Sequence, residues 1–257
     1  MGVLNVTPDS FSDGGRYLEH GAALAHARKL IGEGADLIDI GGESTRPGAA
    51  PVSEDEELSR VIPLVEALRD AGIPLSVDTR RPRVMRAALA AGASMINDVE
   101  ALESPGALEA VAASDCAVCL MHKKGDPQTM QRDPRYGDVV VEVKAYLAAR
   151  ISVATHAGIG RERIAIDPGF GFGKTPAHNL ELLRRLDEFR SLGVAVVAGL
   201  SRKSTLGVLT GKPVGERLAA SLGAALLAAQ HGAHILRVHD VAETRDALAV
   251  WQALRTQ

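Results

Sequence analysis

Short apolar runs recur eight times along the chain, and each stops at or just before a polar residue suited to chemistry. VLN ends at Asn5, LIDI contains Asp39, LSVD ends at Asp78 and MIN ends at Asn97, while His122, Asp167, Ser201 and Arg237 end or closely follow the later four. Runs so short and so rich in Val and Ile predict buried strands near residues 3–6, 37–41, 75–78, 94–97, 117–121, 164–167, 194–199 and 235–238. Helical patterns fill the intervals. Six of them stop at Gly34, Gly72, Gly92, Gly158, Gly193 and Gly232, each suited to the left-handed position that ends a helix, whereas the fourth runs out at Ser114-Asp115. Helix starts are predicted at Ser53 with Glu56, at Ser104-Pro105 and at Thr175-Pro176, where a capping side chain precedes an acid or an N1 proline.

Strand and helix in strict alternation predict an α/β fold. Eight such units in 257 residues predict a single (β/α)8 TIM barrel, one domain over residues 1–257. An open doubly wound sheet alternates in the same way, but no GxGxxG turn follows the first strand. In a parallel barrel all strand ends meet at one rim, so the polar endings predict one pocket and an enzyme. Residues 7–19, 42–52 and 122–137 are connections longer than a scaffold needs, which predicts binding loops.

Composition narrows the partners. A net charge of -3 without a basic stripe, and 3% aromatic residues, argue against a nucleic-acid groove. No apolar run approaches the roughly 18 residues of a membrane span, and the N-terminus has no basic segment ahead of a long apolar core, so a soluble, cytoplasmic protein is expected. Cys116 and Cys119 have CxxC spacing inside an apolar run, where alternation points them to opposite faces and predicts buried thiols. The eight His residues are scattered and form no zinc-ligand spacing. FGFGKT looks like the end of a P-loop, yet Pro168 stands where its first glycine is required, and Lys174 reads as a polar residue just before a helix start.

Seven segments carry more specific chemistry: NVTPDSFSDGG at 5–15, DIGGESTRPGA at 39–49, SVDT at 76–79, IND at 96–98, DPGFGFGK at 167–174, SRKS at 201–204 and RVHD at 237–240. In order and in type they resemble the signature segments of the dihydropteroate synthases, over essentially the whole chain. That resemblance implies condensation of a dihydropterin pyrophosphate with p-aminobenzoate, releasing pyrophosphate with the help of Mg2+. Asp167 is implied to accept the pterin's 2-amino and ring N–H donors in a fork, with Asn97, Lys203 and Phe172 beside the ring and Asp78 where positive charge develops. Asn5 is the implied Mg2+ ligand. Arg237 and His239 alternate on the last strand and so share one face toward the pyrophosphate, with the Arg237 plane also laid against the pterin. Asp78, Lys203, Arg237 and His239 make up the implied catalytic set.

The same resemblance has the loops after the first two strands closing over a pterin-methyl cation to exclude water. Phe11, Thr45, Arg46 and Pro47 would then frame the aniline, and Ser204 would meet its carboxylate. The second strand contributes through its loop. A homodimer and a place among sulfonamide targets are further family expectations, with sensitivity itself depending on Phe11, Arg46 and Pro47, and the Ala- and Leu-rich stretch 218–230 could pack against a partner or against the barrel.

Plainer readings stand beside these. Asp167 could cap the DPGFGFG turn, Asn97-Asp98 could be a turn pair, His239-Asp240 could cap a helix entry, and both loops could be irregular surface segments. A methyltetrahydrofolate-dependent methyltransferase and a pterin-binding paralogue without turnover are the competing functions. Two departures from the family pattern are visible. The chain begins at its first strand, apparently lacking the family's N-terminal β-hairpin, with reduced stability as the expectation. Val99-Glu100 follow Asn97-Asp98 where many members carry a basic or small residue, and Lys123-Lys124 follow His122, for which the sequence suggests no role.

Overall fold

The computed structural model describes residues 1–6, 16–43, 52–126 and 129–255. Eight parallel strands lie side by side in chain order: β1 (Gly2–Asn5), β2 (Ile38–Gly41), β3 (Leu75–Asp78), β4 (Met95–Asp98), β5 (Ala117–Met121), β6 (Ile164–Asp167), β7 (Ala195–Ala198) and β8 (Ile235–Leu236). The sheet closes on itself through a parallel bridge between Gly2 and Val238, where Val3 N donates to Val238 O at 2.9 Å and Val238 N to Met1 O at 3.0 Å. Around it run α1 (Arg16–Gly32), α2 (Glu54–Leu68), α3 (Pro82–Ala91), α4 (Ala107–Ala112), α5 (Val139–His156), α6 (Pro176–Arg184), α7 (Ser204–Thr210), α8 (Leu218–Gln230) and α9 (Val241–Arg255). The expected (β/α)8 barrel is therefore the observed fold, with two helices rather than one between β7 and β8.

The period-2 alternation of strands decides what faces inward. Leu4, Ile38, Ile40, Val77, Ile96, Val118, Leu120, Ile166 and Val196 join the core between strands and helices. The opposite parity fills the barrel's lower interior with a small cluster of Met1, Met95, Cys119, Ala165 and Val197. Two residues further along the same strands, that inward parity delivers Asn97, Met121, Asp167 and Gly199 to the C-terminal rim. Both cysteines are free and buried in different clusters, as alternation requires.

Most local signals hold. All six predicted helix-ending glycines have positive φ, from 68° at Gly193 to 117° at Gly92, although Gly193 ends a 3-10 helix, Leu186–Leu192. Ser53 Oγ accepts from Glu56 N at 3.2 Å, and Thr175 forms a full capping box with His178 ahead of Pro176. Ser104-Pro105 is a correction: α4 starts at Ala107, behind Gly106 at φ 88°. The reason lies upstream, where the buried Asp98 carboxylate accepts from Glu100 N and Leu102 N, each at 2.8 Å, and folds a tight turn through Ala101 and Leu102 at φ 50° and 62°. Ser104 Oγ is committed to Glu100 at 2.7 Å instead of capping a helix.

Candidate active site

A cavity of about 410 Å³ opens at the C-terminal ends of the strands, lined among others by Asn5, Asp78, Asn97, Asp167, Phe172, Lys203, Ser204, Arg237 and His239. These are all of the predicted site residues that lie within the described part of the chain. Phe11, Thr45, Arg46 and Pro47 lie outside it.

Arg237 organises the floor. Its Nε donates to Asp39 Oδ2 at 2.6 Å and its Nη2 to Asp78 Oδ2 at 3.0 Å, a fork held across the barrel from β8 to β2 and β3. Burial works against the guanidinium charge, but the two carboxylates outweigh it and hold the Arg237 pKa above its ordinary value. Asp78 is pushed up to about 7 by burial, against the pull of Arg237. Asp39 itself is fully buried and also accepts from Asn97 Nδ2 at 3.1 Å and Ser76 Oγ at 2.6 Å. The sequence reading gave β2 a role only through its loop. Asp39 corrects this, and its signal was available: it shares inward parity with Gly41, one layer below the rim.

On the opposite wall Asp167 caps its own turn and faces the cavity at once. Its Oδ1 accepts from Gly169 N at 2.7 Å, so the turn-capping alternative and the binding assignment coexist in one carboxylate. Burial raises its pKa, opposed by Lys203. Lys203 donates to Phe170 O, and its ammonium lies 4.8 Å from the Phe172 ring centroid, within cation–π range. Burial lowers the Lys203 pKa to about 8, with Asp167 pulling the other way.

Lys174 is no surface residue. It is 2% exposed, and its ammonium meets His122 Nδ1 at 2.9 Å, Gly169 O at 2.9 Å and Phe172 O at 3.1 Å. Burial lowers its pKa to about 7, and burial together with Lys174 lowers that of His122 to about 3, so the imidazole is neutral and accepts through Nδ1. Lys174 stands just before the α6 start as expected, but its pairing with His122 had no signal in the sequence.

At the β7 end, Ser201 Oγ lies 3.0 Å from His239 Nδ1 and accepts from His239 N at 3.3 Å, joining the last two rim segments. Arg202 takes φ 59°, a left-handed conformation held by its N–H to Ser221 Oγ at 3.0 Å and its side chain on Asp240. That turn carries Lys203 into the cavity while Ser204 stays exposed at the mouth. After β4 and β5 the two halves of the local departure meet each other: Lys123 Nζ donates to Glu100 Oε1 at 2.7 Å beside Val99, which lines the cavity.

Among the described residues no group of three His, Cys, Asp or Glu side chains is arranged to hold a metal. Mg2+ bound largely by substrate phosphates and water needs only one or two protein oxygens, and the rim offers that. A Cβ at Gly41 would lie 3.6 Å from Asn5 Oδ1 and 3.9 Å from Asp78 Oδ2, so the bare glycine leaves a hollow flanked by hard oxygen donors.

Comparison with known proteins places the chain in a family. A family model of pterin binding enzymes matches residues 1–239. The chain is similar to the dihydropteroate synthase of Escherichia coli (strain K12), 52% identical over 254 residues that cover 98% of this chain and 90% of the relative. Among solved structures it resembles the Xanthomonas albilineans dihydropteroate synthase with 4-aminobenzoic acid, at 57% identity and a TM-score of 0.94, covering 100% of this chain and 92% of that one. The same enzyme in complex with 7,8-dihydropteroate superposes with a TM-score of 0.91 at 54% identity, over 100% and 93% of the two chains. The Yersinia pestis dihydropteroate synthase with a sulfonamide drug complex gives a TM-score of 0.95 at 48% identity, over 100% and 94%.

Proposed function

The chain belongs to the pterin binding enzymes, among the dihydropteroate synthases, and from that premise we propose how its rim performs the reaction joining dihydropterin pyrophosphate to p-aminobenzoate. The observation that carries the proposal is the meeting of one carboxylate, one ammonium and one guanidinium, on Asp167, Lys203 and Arg237, in a single cavity at the strand ends.

Asp167 accepts the donor edge of the heterocycle, Lys203 donates toward its carbonyl side, and Asn97 meets a ring nitrogen between them. Phe172 and the Arg237 plane cover the ring. Arg237 and His239 receive the charge that builds on the departing pyrophosphate. Asn5 is the protein oxygen suited to hold Mg2+, which when bound would add charge neutralisation at the phosphates. We read the substitution as dissociative. The carbon–oxygen bond to pyrophosphate breaks first, with Asp78 near the resulting positive charge, and the aniline nitrogen then attacks the methylene carbon and loses its proton. Ser204 meets the p-aminobenzoate carboxylate, and Phe11, Thr45, Arg46 and Pro47 frame the aniline, which is also where a competing sulfonamide is expected.

The proposed assembly is a homodimer. An apolar groove between α6, α7 and α8 is lined by Leu183, Leu206, Leu209 and Leu227, with Leu209 54% and Leu227 47% exposed, which suits a second copy of the chain. Among the described residues no helix is long and apolar enough to cross a membrane. Two free buried thiols suit the cytoplasm we assign.

The test is pyrophosphate release on mixing enzyme, dihydropterin pyrophosphate, p-aminobenzoate and Mg2+. Turnover that needs all three supports the reading, and light scattering at the size of a dimer supports the assembly. Methyl transfer from methyltetrahydrofolate in place of pyrophosphate release, or pterin binding with no turnover, would overturn it.

A further inference from the structure

Asp39 is fully buried and does not line the cavity, yet it bonds two side chains that do, Asn97 and Arg237. A carboxylate offers acceptors only, so whichever end of the Asn97 amide faces Asp39 must be the NH2 end. The amide orientation is thereby fixed by chemistry, and Asn97 Oδ1 turns away from the carboxylate. Arg237 is constrained in the same manner, with Nε on Asp39 and Nη2 on Asp78. The third bond, from Ser76 Oγ at 2.6 Å, falls on Asp39 Oδ1, the oxygen that meets neither Asn97 nor Arg237, so the Oδ2 contacts do not depend on it.

We infer that Asp39 is a positioning residue for ring recognition: by holding the Asn97 NH2 it presents Asn97 Oδ1 as a preset acceptor for a ring N–H of the bound heterocycle. This rests on the reading that a pterin occupies the cavity. A preset acceptor favours the 7,8-dihydro ring over the fully oxidised ring, because the dihydro form carries one more ring N–H. An oxidised ring would set a nitrogen lone pair against Oδ1 or leave Oδ1 unpaired, and either loses the net value of one hydrogen bond.

The experiment compares binding of 6-hydroxymethyl-7,8-dihydropterin and its oxidised counterpart to the wild-type enzyme, Asp39→Asn and Ser76→Ala by calorimetry. In Asp39→Asn the new amide can donate to Asn97 as well as accept, so Asn97 is free to turn over. The wild type is expected to prefer the dihydro ring by about tenfold, the value of one net hydrogen bond. Asp39→Asn should narrow that preference to about twofold, while Ser76→Ala keeps it. An Asp39→Asn enzyme that loses affinity equally for both rings would overturn the inference and leave Asp39 a structural residue. A wild type that binds neither ring would instead overturn the assignment of the cavity to pterin.

A second measurement does not depend on the variant folding. In the ligand-free wild-type enzyme, one proton of the Asn97 side-chain NH2 should be protected from solvent exchange in nitrogen-15 spectra. Two protons exchanging at the same fast rate would contradict the preset orientation.

Discussion

Lys174 Nζ lies 2.9 Å from His122 Nδ1, joining the end of β5 to the loop after β6 at a point sealed from water. The ammonium also takes the carbonyls of Gly169 and Phe172, so it pins the turn that carries Phe172 and receives Lys203. Lys174→Met would leave Phe172 O and His122 Nδ1 without this donor, while Gly169 O keeps the Phe172 N–H at 3.1 Å, at about 1–3 kcal/mol for each unsatisfied group. The expected outcome is a lower denaturant midpoint and a raised KM for dihydropterin pyrophosphate, with KM for p-aminobenzoate changed less. Equal midpoints and unchanged KM values would mean that the pair does not hold the pterin wall.

Lys203 gives a pH dependence with two opposite signs. Burial lowers its pKa from 10.5 to about 8, so the free enzyme loses the ammonium, and its donation to the pterin, as pH rises through about 8. The profile of kcat/KM for dihydropterin pyrophosphate reports the free enzyme and should fall on that alkaline limb. Stability runs the other way: between about 8 and 10.5 the unfolded chain binds this proton more readily than the folded one, so the contribution of Lys203 to stability rises with pH. Lys203→Met should flatten both trends; a kcat/KM plateau extending past pH 10 in the wild type would rule out the lowered value.

Gly169 tests how closely the β6 loop approaches β5. It has φ 72°, and an added Cβ would lie 1.9 Å from the His122 carbonyl oxygen, whereas one at Gly158, with φ 94°, meets nothing within 4 Å. Gly158→Ala should therefore cost only the left-handed backbone penalty, about 1–2 kcal/mol. Gly169→Ala should cost clearly more, and weaken pterin binding as well, because the displaced turn carries Asp167's capping partner. Equal thermal shifts for the two variants would show that the close approach is not rigid.

Much of this was legible in the sequence because strands have a period of two. Asp78, Asn97, Asp167 and Arg237 stand at strand ends, and the rim brings them together whatever the details of packing. Asp39 was harder to read, since it sits one layer below the rim and acts through Asn97 and Arg237 from a position with no access to the cavity. Lys174 does stand just before a helix start, but its burial was not legible, because its ammonium is satisfied by backbone carbonyls and no residue pattern announces those. Ser104 failed as a helix cap because the Asp98 carboxylate, a long-range consequence of β4 burial, fixes the turn that precedes α4. Glu100 and Lys123 were noted without a link between them, and the parallel pairing of β4 with β5 is what makes them partners.

The central claim is a division of the rim, with Asp167 holding the heterocycle and His239 helping to hold the pyrophosphate. It is tested most directly by calorimetric titration of wild-type enzyme, Asp167→Ala and His239→Ala with 6-hydroxymethyl-7,8-dihydropterin and with its pyrophosphate ester in the presence of Mg2+. Asp167→Ala is predicted to weaken both ligands by at least tenfold, from the loss of a charge-assisted hydrogen bond worth about 1.5–3 kcal/mol. His239→Ala is predicted to weaken the pyrophosphate ester alone. An Asp167→Ala enzyme that binds the plain pterin as tightly as the wild type would contradict the account.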